Sequence, residues 1–417
     1  MIACGLDFGT SNSAVGVLND GRVGMAELED GRTLIPSALF FDEEMHGRVL
    51  FGEAAVEAYI GQSEGRLMRA LKSILGTSLI EETTVAGKRT LRFTEIIEIF
   101  IRHLKTRAEV FLGQGIEAVV HGRPVRFVDD DDAADARAQR TLEEIARRVG
   151  FKDVSFVYEP IAAAYDYERN ATREEVVLIA DIGGGTSDFT VIRIGPDRLA
   201  HADRESDILA NAGVHIGGTD FDALFSMTSV MPVLGLGSLL VEKDLPMPRA
   251  PYDLLATWAK INFSYTPRNE RLIAELVAEA AEPRKVARLQ QVVRRRLGHR
   301  LAIDVEKAKV ALSGEAKADI PLDFIELRLH VPVSRADFEW TVRDQTTRLR
   351  AVAGECVAAA GLKPNDIGTI FFTGGSSRIP AVREAIAGAA PEAVAATGSD
   401  FLSVAAGLTL EAQRRYR

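Results

Sequence analysis

Two glycine-rich turns flanked by aspartates carry residue types suited to phosphate chemistry. The first turn runs from Asp7 through Gly9, Thr10 and Ser11 to Asn12. Glycine lets the backbone approach a phosphate closely, and the three polar residues supply N–H and hydroxyl donors. The aspartate ends an apolar strand and is suited to a hydrated magnesium ion, since Mg²⁺ often keeps water between itself and carboxylates. Taken alone, the motif also fits a plain β-hairpin.

The second turn repeats this plan, with an aspartate on each side of three glycines and a threonine. The residues of this turn that are suited to phosphate chemistry are Asp181, Gly183, Gly184, Gly185, Thr186 and Asp188. Three consecutive glycines weaken a strand unless something must come close to the backbone. A flexible loop would explain the glycines but not the flanking acids, which suggest metal and water handling beside a phosphate. The interval between the turns is too long for a solenoid repeat and predicts two similar lobes.

A third glycine site lies near the end of the chain. An apolar strand ending at Phe372 runs into Gly374, Gly375 and Ser376, and a helix is expected from about Arg378. Such a strand-to-helix turn can place a nucleotide against bare backbone, with the arginine stacking on a base. An ordinary strand–helix loop is the alternative.

Alternating strands and helices must position these turns. Apolar runs predict strands at 38–41, 117–120, 154–157, 176–179 and 369–372. Helical spacing of apolar residues predicts helices at 94–112, 134–149, 159–168, 217–229, 285–313, 335–360, 378–388 and 403–414. The alternation predicts an α/β fold.

Composition narrows the function classes. The 417 residues are 47% hydrophobic and 26% charged, values typical of a globular protein of two to three domains. The net charge of −10 argues against nucleic-acid binding. The two cysteines support neither a disulfide framework nor a zinc site. We recognise no signal peptide and no apolar run of about 18 residues, so we expect no membrane partner and a cytoplasmic location.

Taken together, the three motifs resemble a known family. The strings GLDFGTSNS, VLIADIGGGTSDFTVI and TGGSSRIP are similar to the nucleotide-binding domain of the heat shock protein 70 family, within the actin-like ATPase superfamily. The resemblance implies the ribonuclease H-like, actin-like fold. In that fold two α/β lobes, each with a core and an inserted subdomain, surround a nucleotide cleft.

The resemblance also implies catalytic roles. Lys72, in the segment ALKSILG, is similar to a lysine that positions the attacking water, and Glu159, in EPIAAA, to a glutamate near magnesium. Asp7 and Asp181 match aspartates that hold Mg²⁺ through water. Thr186 matches a hydroxyl near the γ-phosphate.

The remaining nucleotide contacts follow from the same comparison of motifs. They are Gly9, Thr10, Ser11, Asn12, Gly183, Gly184, Gly185, Asp188, Gly217, Gly218, Glu306, Lys309, Ser313, Gly374, Gly375, Ser376, Arg378 and Asp400. One departure is Val310, which stands where the family usually has an arginine on its adenosine-contacting helix. Weaker contacts to the base are therefore expected.

The resemblance also sets the expected domain boundaries. Lobe I is expected over 1–178, with a core of 1–38 and 116–178 and an insertion at 39–115. Lobe II is expected over 179–400, with a core of 179–216 and 337–400 and an insertion at 217–336, and 401–417 forms a closing helix. The first insertion is expected to hold several helices and little β-structure after Leu50.

The expected function is slow, Mg²⁺-dependent hydrolysis of ATP to ADP by a nucleotide-driven conformational switch. Family chaperones continue into a peptide-binding β-sandwich that this sequence does not show, so peptide binding in the usual mode is not expected. Protein clients and co-chaperones cannot be identified from the sequence. Two alternatives stay open: a small-metabolite kinase of the same fold, and an actin-like filament protein.

Overall fold

The computed structural model describes residues 1–19, 21–44, 48–61, 63–86, 89–169, 171–198, 204–241, 245–398 and 402–416. Its strands are β1 Ala3–Phe8, β2 Asn12–Asn19, β3 Arg22–Met25, β4 Leu34–Pro36, β5 Ala38–Asp42, β6 Val49–Phe51, β7 Gly65–Arg69, β8 Thr83–Ala86, β9 Arg89–Arg92, β10 Ala118–Arg123, β11 Asp153–Tyr158, β12 Glu175–Ile182, β13 Ser187–Ile194, β14 Ile208–Val214, β15 Leu239–Leu240, β16 Leu245–Pro246, β17 Lys317–Pro321, β18 His330–Ser334, β19 Thr369–Thr373 and β20 Val394–Thr397.

Twelve α-helices are present in this part of the chain. They are α1 Gly52–Ile60, α2 Phe93–Leu112, α3 Asp132–Val149, α4 Glu159–Glu168, α5 Gly218–Phe225, α6 Ala250–Ala256, α7 Pro267–Glu279, α8 Pro283–Arg294, α9 Gly298–Gly314, α10 Arg335–Ala359, α11 Pro380–Ala387 and α12 Ser403–Arg415. None of these helices is both long enough and apolar enough to span a bilayer.

The chain divides into two compact units. The first unit comprises Met1–Gly218, Thr346–Arg378 and Val382–Arg417, and the second comprises Thr219–Gln345 and Ile379–Ala381. The second unit overlaps the insertion expected at 217–336. The lobe boundaries themselves stay a prediction.

Two sheets of the first unit share one topology. The first sheet has the order β3-β2-β1-β10-β11, with β4 also paired to β2, and the second has the order β14-β13-β12-β19-β20. In each sheet an antiparallel meander of three strands is followed by two parallel strands. This topology confirms the internal repeat predicted from the two turns, and the α/β class predicted from the alternation of strands and helices is also confirmed.

Helices α4 and α12 join the two sheets. One buried cluster contains Val120 of the first sheet, Ile179 of the second, Ala163 of α4 and Leu408 of α12. At Gly407, a Cβ would lie closer than 3.0 Å to backbone atoms of α4. Only a glycine permits this approach, because such a contact is inside van der Waals distance.

The first insertion contains more β-structure than the sequence indicated. Strand β7 pairs with β5 and buries Leu67 and Met68, and β8 and β9 form a separate hairpin. The expectation of little β-structure after Leu50 is therefore wrong. Helix α2 is confirmed, because its apolar stripe, including Ile97, Phe100 and Leu104, is fully buried.

In the second unit, the single helix predicted at 285–313 is wrong. The segment forms α8 and α9, separated by a break at which Arg296 has a left-handed φ of 53°. Gly298 begins the second helix, and a Cβ there would lie 2.7 Å from the Tyr265 hydroxyl. The chain therefore turns at a point where tertiary packing, rather than apolar periodicity, sets the backbone.

Candidate active site

The first glycine turn connects β1 to β2. A Cβ on Gly9 would clash with the backbone carbonyl oxygen of Asn12, so the turn requires a glycine. The Ser37 hydroxyl donates to the Gly9 carbonyl over 2.7 Å, and the Ser37 N–H donates to the Ser11 carbonyl over 2.8 Å. These bonds fix the conformation of the turn that carries the side chains of Thr10 and Ser11.

The second glycine turn connects β12 to β13 and contacts the first. It is closed by a 2.9 Å bond from the Gly183 N–H to the Thr186 carbonyl. A Cβ on Gly184 would clash with Ser11, and one on Gly185 would lie 2.7 Å from the Thr10 hydroxyl oxygen. The glycine backbone of the second turn thus lies directly against the side chains of the first turn. Glycines are needed there because a larger residue would clash with those side chains.

The third glycine site packs on the second turn. Gly374 has a φ of +78°, a conformation that favours glycine, and a Cβ there would clash with the Ile182 carbonyl. The Ser376 hydroxyl donates to the Gly183 carbonyl over 3.0 Å, and the Gly218 N–H donates to the same oxygen over 3.0 Å. The structure therefore brings all three glycine sites together within the first unit.

Gly217 also belongs to this assembly. A Cβ on Gly217 would lie 2.5 Å from the Gly185 nitrogen, so it packs directly on the second turn. Arg378 ends the short 3-10 helix Gly375–Arg378 and is exposed. The expectation that a helix opens near this arginine is met by that 3-10 turn, which is followed by α11.

Lys72 and Glu159 form a buried ion pair. The Lys72 ammonium contacts the Glu159 carboxylate, and both side chains are less than a tenth exposed. Lys72 lies in the 3-10 helix Leu71–Ile74, which follows Ala70 in the left-handed conformation at a φ of 57°. Glu159 is the first residue of α4, where the positive end of the helix dipole also stabilises a carboxylate.

Three aspartates surround this ion pair, and their protonation is strongly perturbed. Burial and the Glu159 carboxylate raise the pKa of Asp7 to about 7, and raise the pKa of Asp188 to about 7 as well. Burial, together with Glu159, Asp188 and Asp7, raises the pKa of Asp181 well above its ordinary value. The site holds four acidic groups and one ammonium group, and burial favours the protonated form of the three aspartates.

Lys72 remains cationic in this environment. Burial acts to lower its pKa, but the carboxylates of Glu159 and Asp7 outweigh burial and raise the pKa above the ordinary value. An ammonium group held among buried carboxylates is a fixed positive charge that a phosphate oxygen or a water could contact. The group can therefore stabilise negative charge developing beside it.

The carboxylates fit a hydrated cation better than a directly bound one. Among the described residues, no cluster of three or more histidine, cysteine, aspartate or glutamate side chains is arranged to hold a metal ion directly. Burial, followed by the Glu159 carboxylate, raises the pKa values of Asp7, Asp181 and Asp188, and a divalent cation would favour the charged forms of these groups. Mg²⁺ readily keeps several waters, so the donor set fits it.

Two polar groups of the candidate site were not predicted from the sequence. The Val125 N–H donates to the Asp188 carboxylate over 2.6 Å, and a backbone donor leaves no trace in residue type. Thr373 pairs in register with Asp181, and its buried hydroxyl has no hydrogen-bond partner among the described residues. Its position directly before Gly374, in the third motif, was the available signal.

The predicted adenosine contacts of α9 lie in the second unit. Glu306 and Ser313 are half-buried, whereas Lys309 is buried and forms a 2.7 Å ion pair with Asp222. Val310 is 63% exposed. Asp400 lies outside the described residues.

Comparison with known protein families identifies the family to which the chain belongs. A family model described as Hsp70 protein matches residues 3–230 and 268–412, which include all the predicted site residues. The match covers well over half of the chain and implies the actin-like ATPase fold. Proteins of this family bind ATP and ADP and are generally ATPases of the chaperone class. The chain therefore belongs to the Hsp70 family.

Proposed function

We propose that this protein hydrolyses ATP in a Mg²⁺-dependent reaction, with the nucleotide phosphates bound between the two glycine turns. The observation that carries the proposal is the direct contact of these turns beside Lys72 and four carboxylates. Bare glycine backbone can approach phosphate oxygens, while the carboxylates handle a cation and water. The proposal also includes slow turnover and a nucleotide-driven conformational switch, which the resemblance to the Hsp70 family implies.

Lys72 and Glu159 would act as a pair in this reaction. The ammonium would contact the γ-phosphate or the attacking water, and the carboxylate of Glu159 would hold the ammonium in place. The Thr186 hydroxyl and Asp188 would complete the shell around that water, with Asp188 held by the Val125 N–H. Phosphoryl transfer depends mainly on such positioning and electrostatic stabilisation.

Asp7 and Asp181 are the residues that would hold magnesium through water. When bound, the ion would neutralise charge on the β- and γ-phosphate oxygens. The two aspartates must lose their protons before they can hold it, because their pKa values are raised in its absence. Thr373, beside Asp181, offers a further hydroxyl to the same water shell.

The first test measures turnover of Lys72→Ala. We expect the rate of phosphate release to fall about 10²-fold or more, the effect typical of removing one catalytic donor. Lys317→Ala, which removes an exposed lysine of β17, serves as the matched control and should leave the rate unchanged. Unchanged turnover in Lys72→Ala would remove this lysine from its proposed role.

Because the lysine is buried against Glu159, the variant could lose activity through instability alone. The double variant Lys72→Met/Glu159→Gln removes both charges and avoids leaving an unpaired buried carboxylate. A folded but inactive double variant that still binds MgADP by isothermal titration supports the catalytic assignment. Failure of the unmodified protein to bind Mg-nucleotide at high micromolar concentration would defeat the proposal as a whole.

Hydrolysis must also be distinguished from transfer of the phosphate to a metabolite. ATP consumption without any added acceptor, with equal amounts of ADP and inorganic phosphate formed, is expected for an ATPase. Consumption that requires a small metabolite would instead indicate the kinase alternative. Light scattering after ATP addition tests the filament alternative, for which we expect no increase.

A further inference from the structure

The loop of residues 124–130 connects β10 to α3 and supplies the N–H group that holds Asp188. This loop is neither strand nor helix, so side-chain contacts must determine its course. The Val125 N–H donates to the Oδ1 atom of Asp188 over 2.6 Å, and Asp188 is 1% exposed. This backbone amide is therefore one of the contacts that fix where a buried carboxylate of the candidate site lies.

Arg123, the last residue of β10, holds the peptide group to which this amide belongs. Its Nε–H donates to the Pro124 carbonyl over 2.9 Å, and its Nη2 donates to the Val125 carbonyl over 3.2 Å. The Pro124 carbonyl and the Val125 N–H belong to one planar peptide unit and point in opposite directions. A hydrogen bond that fixes the carbonyl therefore also fixes the direction of the N–H toward Asp188.

Helix α3 holds the Arg123 guanidinium in turn. The Nη2 atom donates to the Asp135 carboxylate over 2.8 Å, and Nη1 donates to the side-chain oxygen of Gln139. Asp135 and Gln139 lie one helical turn apart, on the same face of α3. The second carboxylate oxygen of Asp135 accepts the Phe127 N–H over 2.6 Å, so the same side chain also fixes a later point of the loop.

Aromatic rings enclose the same guanidinium. Arg123 is 8% exposed, and its guanidinium carbon lies 5.1 Å from the centre of the Phe127 ring and 5.2 Å from the centre of the Tyr158 ring. Hydrogen bonds from several nitrogens, together with these ring contacts, leave the planar group little freedom to rotate. A lysine has a single ammonium group and cannot replace this set of directed contacts.

We propose that Arg123 is a positioning residue for the reaction, which acts on Asp188 through the peptide group between Pro124 and Val125. Without the guanidinium this peptide group can rotate, and the Asp188 carboxylate loses its place near the attacking water. The role of Asp188 in the reaction rests on the proposed function, whereas the way in which Arg123 holds the peptide group does not.

The Val125 amide reports this positioning without turnover. Its NMR signal in protein labelled with ¹⁵N-valine is the one that disappears in Val125→Ile. In Arg123→Lys the amide proton should move upfield, because its short bond to Asp188 lengthens. Gln139→Leu removes one acceptor of the guanidinium and should shift the proton less in the same direction, which decides the question if Arg123→Lys does not fold. Arg126→Lys is the matched control in the same loop and should leave the signal in place, since Arg126 pairs with the exposed Asp132.

A double-mutant cycle separates the positioning of Asp188 from a general structural role. Single-turnover hydrolysis of MgATP is measured for the unmodified protein, Arg123→Lys, Asp188→Asn and the double variant. Arg123→Lys should slow hydrolysis about threefold to tenfold, as the loss of one hydrogen bond does, and should leave the Kd of MgADP within about twofold. In the Asp188→Asn background the same change should slow hydrolysis less than about twofold, because the carboxylate that Arg123 positions is absent.

Two results would overturn the proposal. One is a Val125 signal that stays in place in both Arg123→Lys and Gln139→Leu. The other is an equal slowing of hydrolysis by Arg123→Lys in both backgrounds, which indicates a structural role that does not pass through Asp188. Absence of hydrolysis by the unmodified protein would instead refute the proposed function, and the amide signal would still decide whether Arg123 holds the Val125 N–H.

Discussion

The buried aspartates make the free protein sensitive to pH, and Asp188→Asn tests this directly. Asp188 is 1% exposed and accepts the Val125 N–H over 2.6 Å. Burial and the Glu159 carboxylate raise its pKa from 3.8 to about 7. In the absence of metal and nucleotide, the folded protein therefore keeps this proton up to about neutral pH.

The sign and size of the effect follow from proton linkage. Between about pH 4 and pH 7 the folded state binds a proton that the unfolded state has released, so the free energy of unfolding falls as pH rises. A shift of about three pKa units corresponds to about 4 kcal/mol as an upper value for this group. Above about pH 7 its contribution is constant.

Asparagine removes the titration and keeps an oxygen that can accept the Val125 N–H. Urea unfolding of nucleotide-free protein in EDTA, at several values from pH 4 to pH 8, gives the measurement. The free energy of unfolding should fall less steeply with pH in Asp188→Asn, and by pH 8 the variant should be the more stable protein. Asp344→Asn, an exposed control, should follow the unmodified protein. Parallel curves for Asp188→Asn and the unmodified protein would refute the reasoning.

Three further predictions concern stability and nucleotide affinity. Gly407→Ala should lower the free energy of unfolding in the same urea titrations by about 1–3 kcal/mol, because its Cβ would clash with α4. Gly354→Ala is the control in α10, where a Cβ meets open space, and it should raise the free energy of unfolding by about 0.5–1 kcal/mol. Glu168→Gln should lower the free energy of unfolding by about 1–3 kcal/mol, since Arg204 loses one of its two buried carboxylate partners and keeps Asp207; a Tm equal to that of the unmodified protein would contradict this. Val310→Arg, at a 63% exposed position, should leave the free energy of unfolding within about 0.5 kcal/mol and tighten ADP binding about threefold by calorimetry, as the resemblance to the family's adenosine-contacting helix implies; unchanged ADP affinity would contradict this.

The hairpins of the two sheets were predictable because their signals are local. An aspartate, a glycine turn and β-branched residues lie within one short stretch around Gly9 and again around Gly184. Helix α2 was predictable for the same reason, since its apolar stripe repeats at helical spacing. The strands β7, β8 and β9 were missed because they are only four or five residues long and depend on pairing partners.

The prediction of the charged site residues depended more on the family resemblance than on a local sequence pattern. Nothing in the string around Lys72 indicates a buried ammonium group, since its place depends on the left-handed Ala70 and on Glu159, far along the chain. The Val125 donor is a backbone group and has no residue signature. Sequence therefore indicated which residue types meet, whereas their protonation follows only from the burial and mutual distances that the fold imposes.

Helix α4 connects the chemistry of the site to the rest of the first unit. It begins at Glu159, which binds Lys72 of the first insertion, and ends at Glu168, which binds Arg204 just before β14. Buried ion pairs add little net stability, because desolvation offsets their attraction, but each fixes one geometry when its partners are satisfied. Since α4 is ten residues long, about 15 Å, the two pairs hold both ends of one short rod. Lys72 and Arg204 are therefore each held against one end of the same buried helix.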